Sequence, residues 1–265
     1  MPLIHHIVTG HGRRPIVFVH GFGCAHSDWD AQVSHLSARC QTIAVYLRGH
    51  GASPGTPDEC SIERYGADVA EVTRALTLPP SVLVGHSMGC RVVIEAALQA
   101  PAHTAGVVLV DGSQFAPTVE SMLREAFAVP DGYTSLVANW FKDMFTAKSD
   151  PAMVAAIAER AACLPGQIGQ TLLIDMVRYG VGRLSTALSD LRVPVMAIQR
   201  TYSNEKRERR SMSKGQMTPY LHILAAQIPS IRIEVIADTG HFPQIDEPAR
   251  TNMLLDSFIA TVPAG

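Results

Sequence analysis

A serine flanked by two glycines stands between a predicted strand and a predicted helix. The motif Gly-His-Ser-Met-Gly occupies residues 85–89, after an apolar run and before an amphipathic one. Gly-x-Ser-x-Gly between a strand and a helix is typical of a nucleophile elbow, a tight turn that exposes the serine hydroxyl. Ser87 is therefore the candidate nucleophile. The alternative is an ordinary serine in a glycine-rich turn.

A serine nucleophile needs a general base that takes its proton, and histidine is the commonest base. The sequence has eleven histidines, so position must choose among them. His241 follows the last predicted strand, and it comes after the nucleophile and an acid in chain order. We therefore expect His241 to be the base. We expect His50 and His86 to be structural residues near the site.

The sequence offers three candidates for the acid that orients this histidine. Asp111 ends the predicted strand 107–110, which follows the helix after the nucleophile. Glu205 is the carboxylate that comes after the next predicted strand, 195–198. Asp111 is favoured, because an acid need only reach the imidazole ring and hold its orientation. Asp238 is a third candidate.

Acyl transfer also needs backbone N–H groups that bind the negative oxygen of the intermediate. One is expected from Met88, the residue after the candidate nucleophile. The other is expected from Phe22, because His-Gly-Phe-Gly at 20–23 follows the predicted strand 16–19. These two residues are the candidate oxyanion donors.

The candidate catalytic and oxyanion residues lie at or just after the ends of short apolar runs. Predicted strands cover residues 16–19, 42–46, 82–84, 107–110, 195–198 and 231–236. Helical patterns separate them at about 27–39, 61–77, 88–100, 182–190, 218–227 and 247–260. Continuous apolar runs are typical of parallel strands buried on both faces. The alternation predicts an α/β fold with a mostly parallel, doubly wound sheet, which binds ligands at the carboxyl ends of its strands.

Residues 114–181 break the alternation, because they contain helical patterns and no convincing strand. We expect a helical cap, inserted before the penultimate strand and standing over the carboxyl ends of the strands. The core then comprises residues 1–113 and 182–265. Methionines and aromatic residues in the cap indicate an apolar pocket. The pocket candidates are His20, Trp140, Phe141, Met144 and Phe242.

Composition excludes several classes of protein. The chain has 265 residues, a net charge of −2 and 47% hydrophobic residues, which excludes a disordered chain and disfavours a nucleic-acid binder. Five scattered cysteines argue against a disulfide framework and a zinc site. No run approaches the roughly 18 apolar residues of a membrane span, and no signal peptide is evident. We expect a cytoplasmic protein with a small-molecule substrate, no metal and no cofactor; the oligomeric state is open.

Charged residues are concentrated between 200 and 214. Six basic and two acidic residues fall in this stretch. A patch for nucleic acid or anionic lipid is one interpretation. A solvated, mobile loop is favoured, because charge runs are often solvated and the whole chain is slightly acidic.

Taken together, these motifs resemble the α/β-hydrolase superfamily over nearly the whole chain. The segments that carry the resemblance are His20-Gly21, Arg48-Gly49-His50-Gly51, residues 85–89, residues 108–112 and residues 240–248. The resemblance implies a parallel-sheet core, a helical cap and a triad of serine, acid and histidine. The chain departs from the usual pattern after residue 198, where no aspartate follows the strand.

The resemblance implies a serine hydrolase that cleaves an ester or related carbonyl bond of a small, largely apolar substrate through an acyl-enzyme. The chain is also similar to cofactor-free 3-hydroxy-4-oxoquinoline 2,4-dioxygenases, in the segment 241–246 and in an acid at Asp111. In that alternative, His241 would deprotonate an aromatic hydroxyl and Ser87 would assist binding. A third alternative is a ligand receptor of the same fold that has no catalytic activity.

Overall fold

Seven strands form one mostly parallel sheet in a computed structural model that describes residues 3–204 and 208–262. They are β1 (His6–Thr9), β2 (Pro15–Val19), β3 (Gln41–Val45), β4 (Ser81–His86), β5 (Thr104–Val110), β6 (Val195–Gln199) and β9 (Arg232–Val235). Their spatial order is β1-β3-β2-β4-β5-β6-β9. Only the β1–β3 pair of this sheet is antiparallel. The predicted mostly parallel α/β fold is confirmed.

A separate antiparallel hairpin follows β6 directly. It pairs β7 (Thr201–Ser203) with β8 (Arg209–Ser211), so that Ser203 lies opposite Arg209. The sequence patterns predicted neither this hairpin nor β1. Both are short, and β1 has no run of buried residues.

Helices connect the strands and cover both faces of the sheet. The connecting helices are α1 (Asp30–Leu36), α2 (Ile62–Ala75), α3 (Met88–Gln99), α8 (Leu184–Asp190), α9 (Pro219–Gln227), α10 (Pro243–Asp246) and α11 (Pro248–Thr261). Single 3-10 turns are found at His26–Trp29, Pro57–Glu59 and Pro101–His103. In the described part of the chain, no helix is both long and apolar enough to cross a membrane.

Four further helices lie between β5 and β6. They are α4 (Val119–Phe127), α5 (Gly132–Lys142), α6 (Pro151–Ala162) and α7 (Gly166–Gly182). We call residues 114–181 the helical segment. They lie before β6, the penultimate strand of the main sheet in chain order. The division of the chain into a core and a cap stays a prediction.

The buried strands supply side chains to two hydrophobic layers. In β2, Val17 and Val19 belong to one layer, and Ile16 and Phe18 belong to the other. The first layer also contains side chains of α2, α3 and the helical segment, and the second contains side chains of α1 and α11. Successive side chains of a strand point to opposite faces, so a sheet covered on both sides requires an apolar residue at every position.

The turn from β4 to α3 brings backbone segments into very close approach. A Cβ atom on Gly89 would lie 2.6 Å from the carbonyl oxygen of Val19 and 2.8 Å from that of His20. A Cβ atom on Gly85 would lie 2.2 Å from the carbonyl oxygen of Gly89. Glycine at 89 therefore lets the start of α3 pack directly against the end of β2, and glycine at 85 lets the first turn of α3 pack against β4.

We predict that Gly89→Ala lowers the free energy of unfolding by roughly 1–3 kcal/mol, because the added methyl group would overpack a backbone contact. Gly182→Ala is the matched control, since a Cβ atom there meets no atom within 4 Å. The control should be neutral or stabilising by up to about 1 kcal/mol. Thermal unfolding of both variants tests this. Equal melting temperatures for the two would contradict it.

Candidate active site

Ser87 occupies the turn between β4 and α3 in a rarely populated backbone conformation. Its φ is +54° and its ψ is −113°. Its N–H donates to the carbonyl oxygen of Val110 at 2.9 Å, which ties the turn to the end of β5. A non-glycine residue with positive φ persists only where the surrounding structure holds it. Here the close packing of Gly85 and Gly89 holds it, and Ser87 stands at the carboxyl edge of the sheet.

His241 lies directly beside Ser87. Its Nε2 is 2.9 Å from the Oγ of Ser87. Its backbone N–H donates to the carbonyl oxygen of Met144 in the helical segment at 2.7 Å. Its carbonyl oxygen lies 2.8 Å from Nε2 of His86, a buried ring that can donate to it. Two separate elements therefore fix the backbone that carries the imidazole.

Asp111 makes the carboxylate contact with this ring. Its Oδ2 is 2.6 Å from Nδ1 of His241. Its Oδ1 accepts backbone N–H groups of Arg200 at 2.7 Å and Thr201 at 2.8 Å, and the Thr201 hydroxyl donates to Oδ2 at 2.6 Å. Glu205 lies outside the described residues. Asp238 is exposed, and the described side chains within hydrogen-bond distance of the imidazole nitrogens are those of Ser87, Asp111 and Arg209.

The three side chains form one line of hydrogen bonds. An ionised Asp111 accepts from Nδ1–H of His241, which leaves the Nε2 lone pair free to accept from the Ser87 hydroxyl. This is the tautomer in which an imidazole can take a proton from serine. The arrangement can therefore generate a serine nucleophile and return the proton to a leaving group.

Arg209 joins the site from β8. Its Nη1 donates to the Thr201 hydroxyl at 2.8 Å and lies 3.1 Å from Nδ1 of His241. Its side chain is only 20% exposed. Arg200, at the start of the same charged stretch, is fully buried. The prediction of a solvated loop is therefore wrong for these two residues, because a hairpin turns part of the charge run inward.

Burial and charge act in opposite directions on the pKa values here. Burial and then the Arg209 charge lower the pKa of His241 to about 4, although Asp111 opposes them. Burial alone would raise the pKa of Asp111, but the bond from His241, the Arg209 charge and the Thr201 hydroxyl lower it. At neutral pH the imidazole is therefore uncharged and the carboxylate ionised, as a general base and its orienting acid require.

A cavity of about 50 Å³ opens beside Ser87 and His241. Besides Ser87 and His241 themselves, four residues predicted from the sequence line it, namely Phe22, Trp140, Met144 and Phe242. His86 lines it as well, as a residue expected near the site, and the other lining residues were not among the pocket candidates, namely Cys24, Ser113, Gln114, Phe115, Met176, Ser203 and Arg209. They come from several separate loops and helices, and no local pattern predicts that those would converge.

Two pocket candidates lie elsewhere. His20 is fully buried, with Nδ1 2.8 Å from the carbonyl oxygen of Gly21 and with Nε2 accepting the N–H of Leu47 at 3.1 Å. It therefore joins the end of β2 to the loop after β3. Phe141 lines a second, apolar cavity of about 220 Å³ between α5 and α6.

Two backbone N–H groups near Ser87 can receive a negative oxygen. Met88 is the first residue of α3, so its N–H has no acceptor within the helix. In the loop after β2, Gly23 N–H donates to Nε2 of His50 and Cys24 N–H donates to the carbonyl oxygen of Gly21. The Phe22 N–H between them has no acceptor among the described residues. Within the same described ranges, no cluster of His, Cys, Asp or Glu side chains could hold a metal ion.

Comparison with known families gives one extensive match. The model of the alpha/beta hydrolase family matches residues 16–253. The dihydrolipoyllysine-residue acetyltransferase component of the acetoin cleaving system of Cupriavidus necator is 27% identical, over 93% of this chain and 63% of that protein. The alignment thus spans less than two thirds of that relative. The sn-1-specific diacylglycerol lipase ABHD11 of Mus musculus is 26% identical, over 98% of this chain and 86% of that protein.

Solved structures show the same fold. A thermophilic esterase from Thermogutta terrifontis superposes with a TM-score of 0.80, over 97% of this chain and 93% of that one. The two sequences are 22% identical. The architecture of the sheet and its helices is therefore shared.

We predict that His241 stays neutral down to about pH 4, because burial and Arg209 disfavour its charged form. Arg209→Gln should raise this pKa toward 6.5, since it removes a positive charge that lies 3.1 Å from Nδ1. The NMR titration of ¹³C-labelled histidine measures both values. Arg210→Gln is the control, because Arg210 is exposed and paired with Glu208. A wild-type pKa near 6.5, or no shift in Arg209→Gln, would contradict this prediction.

Proposed function

Because the chain belongs to the alpha/beta hydrolase family, we propose that it is a serine hydrolase that cleaves an ester or related carbonyl bond. The observation that carries this proposal is the hydrogen-bonded line from the Ser87 hydroxyl through His241 to Asp111. A serine whose proton can pass to a buried, neutral imidazole is suited to attack a carbonyl carbon. The proposed reaction has two half-reactions.

In the first half-reaction, Nε2 of His241 takes the Ser87 proton while Oγ bonds to the carbonyl carbon. The electron pair of the carbonyl bond moves to its oxygen, and the N–H groups of Met88 and Phe22 bind this oxyanion. The intermediate collapses when the bond to the leaving oxygen breaks. His241 gives its proton to the departing alcohol, and an acyl group stays on Ser87.

In the second half-reaction, water replaces the alcohol. His241 takes a proton from water while the water oxygen bonds to the acyl carbon. The same N–H groups bind the second oxyanion. The bond to Oγ then breaks, and the proton returns from His241 to Ser87. Asp111 keeps the imidazole oriented in both half-reactions and stabilises its transient positive charge. No metal or cofactor enters these steps.

The lining of the cavity supports a small substrate with an apolar portion. Phe115 and Trp140 stack at 6.1 Å between ring centroids, and Phe145 stacks on Phe242 at 5.1 Å. In the described form the cavity is small, so a larger substrate requires Trp140 and the rest of the helical segment to shift. We therefore propose that this segment acts as a cap. A reducing, cytoplasmic location fits the five free cysteines, four of them buried.

We predict that Ser87→Ala lowers kcat/KM for short p-nitrophenyl esters by at least about 10⁴-fold while the protein stays folded, because the proposed acyl-enzyme forms on the Ser87 hydroxyl. Circular dichroism and thermal unfolding check the fold. Ser189→Ala on the exposed face of α8 is the matched control and should keep wild-type activity. A Ser87→Ala variant with nearly full esterase activity would refute the mechanism.

Two alternatives to the hydrolase remain, and each predicts a different result. One observation supports the dioxygenase alternative. The carboxylate that contacts His241 is Asp111, which follows β5 and not β6. Oxygen uptake with a 3-hydroxy-4-oxoquinoline, with no ester hydrolysis, would favour it and overturn the hydrolase proposal. Tight ligand binding without turnover of any ester would instead favour a receptor.

A further inference from the structure

Among the described residues that line the cavity beside Ser87, one carries a positive charge and none carries a negative one. The positive residue is Arg209. The histidines of the lining, His86 and His241, both have pKa values lowered by burial and neighbouring charge, so both are neutral at pH 7. The described lining therefore presents one formal charge to a ligand, which is that of the guanidinium.

Asp111 is the carboxylate nearest to this guanidinium in the described ranges, and its hydrogen bonds are already assigned. The separation between Nη1 of Arg209 and Oδ2 of Asp111 is 4.0 Å, which is beyond hydrogen-bond distance. Oδ2 bonds instead to His241 and to the Thr201 hydroxyl. The guanidinium is thus four-fifths buried, and no carboxylate in the described ranges forms a hydrogen bond with it. Burying an arginine in this way is costly, and an anionic ligand would offset the cost.

Arg209 also forms a boundary between two cavities. A second cavity of about 60 Å³ shares Ser113, Gln114, Ser203 and Arg209 with the first. Its other lining residues are mostly polar, namely Gly112, Gln199, Thr201, Tyr202, Thr218, Pro219 and Tyr220. A polar space thus continues from the scissile position past the guanidinium.

We propose that Arg209 binds a carboxylate of the substrate, so that the preferred substrates are monoesters of short dicarboxylic acids. This inference rests on the proposed hydrolase function and names its substrate class. The ester carbonyl lies against Ser87 and the carboxylate lies against the guanidinium. A planar guanidinium with several N–H donors matches a carboxylate in geometry, and such charge-assisted bonds are the stronger ones. Hydroxyl groups of Ser113 and Ser203 line the same polar space.

Two esters of equal length test the proposal. Monoethyl succinate carries a carboxylate where ethyl levulinate carries a methyl ketone. The wild-type enzyme should have the higher kcat/KM for monoethyl succinate. Arg209→Gln should lower the ratio of the two kcat/KM values roughly 10- to 100-fold, because a charge-assisted bond is lost. The ratio separates recognition from any general loss of activity, since Arg209 also contacts His241.

Two further variants sharpen the comparison. Arg209→Lys keeps the charge and should restore part of the ratio, whereas a purely structural loss would not respond to charge. Arg210→Gln removes an exposed arginine that pairs with Glu208, and its ratio should equal that of the wild type. A wild-type enzyme that prefers ethyl levulinate overturns the inference, even if Arg209→Gln fails to fold. An unchanged ratio in a folded Arg209→Gln overturns it as well.

Binding to Ser87→Ala distinguishes this inference from the proposed function. Calorimetric titration of this variant should show tighter binding of monoethyl succinate than of ethyl levulinate, and Ser87→Ala/Arg209→Gln should lose the difference. Arg209-dependent binding without hydrolysis by the wild type would keep the inference and overturn the hydrolase. Hydrolysis of both esters at equal efficiency would keep the hydrolase and overturn the inference.

Discussion

One buried negative charge fixes the geometry of the site. Asp111 is fully buried, and its carboxylate accepts two backbone N–H groups, one hydroxyl and one imidazole. A carboxylate is stable inside a protein only when such bonds replace its hydration. The donors come from the link between β6 and β7 and from the loop that carries His241. The hydrogen bonds to Asp111 therefore determine the positions of those two segments relative to β5. These positions in turn determine the distance from His241 to Ser87.

The helical segment is coupled to the same centre. The carbonyl oxygen of Met144 accepts the backbone N–H of His241, and the Met144 side chain lines the cavity. A change in the position of this segment would therefore alter the pocket and the support of the imidazole together. Arg209 acts on the same ring electrostatically, and its charge opposes that of Asp111. Burial and then the Arg209 charge lower the pKa of His241 and favour its neutral form. The Asp111 carboxylate stabilises the imidazolium that the proposed mechanism forms.

The sequence predicted the parallel sheet and the place of the candidate nucleophile because both have local causes. Strands covered on both faces need continuous apolar runs, and the turn at Ser87 needs small neighbours. The sequence favoured Asp111 as the acid but left Glu205 and Asp238 as alternatives, because contact between Asp111 and His241 joins residues 130 apart and depends on how two strand ends meet. Arg209 was missed for a related reason. A charge run does not indicate which side chains a hairpin turns inward, and only tertiary packing decides that.

The most direct test of the proposed mechanism is the detection of an acyl group on Ser87. Wild-type protein mixed with p-nitrophenyl acetate, quenched in acid within milliseconds and digested, is analysed by mass spectrometry. Cys163→Ser serves as the background protein, because Cys163 is an exposed thiol that the reagent could acetylate directly. An acetyl group is expected on the peptide that contains Ser87, and it should form as fast as the first turnover. Turnover with no adduct on that peptide would contradict the proposed mechanism.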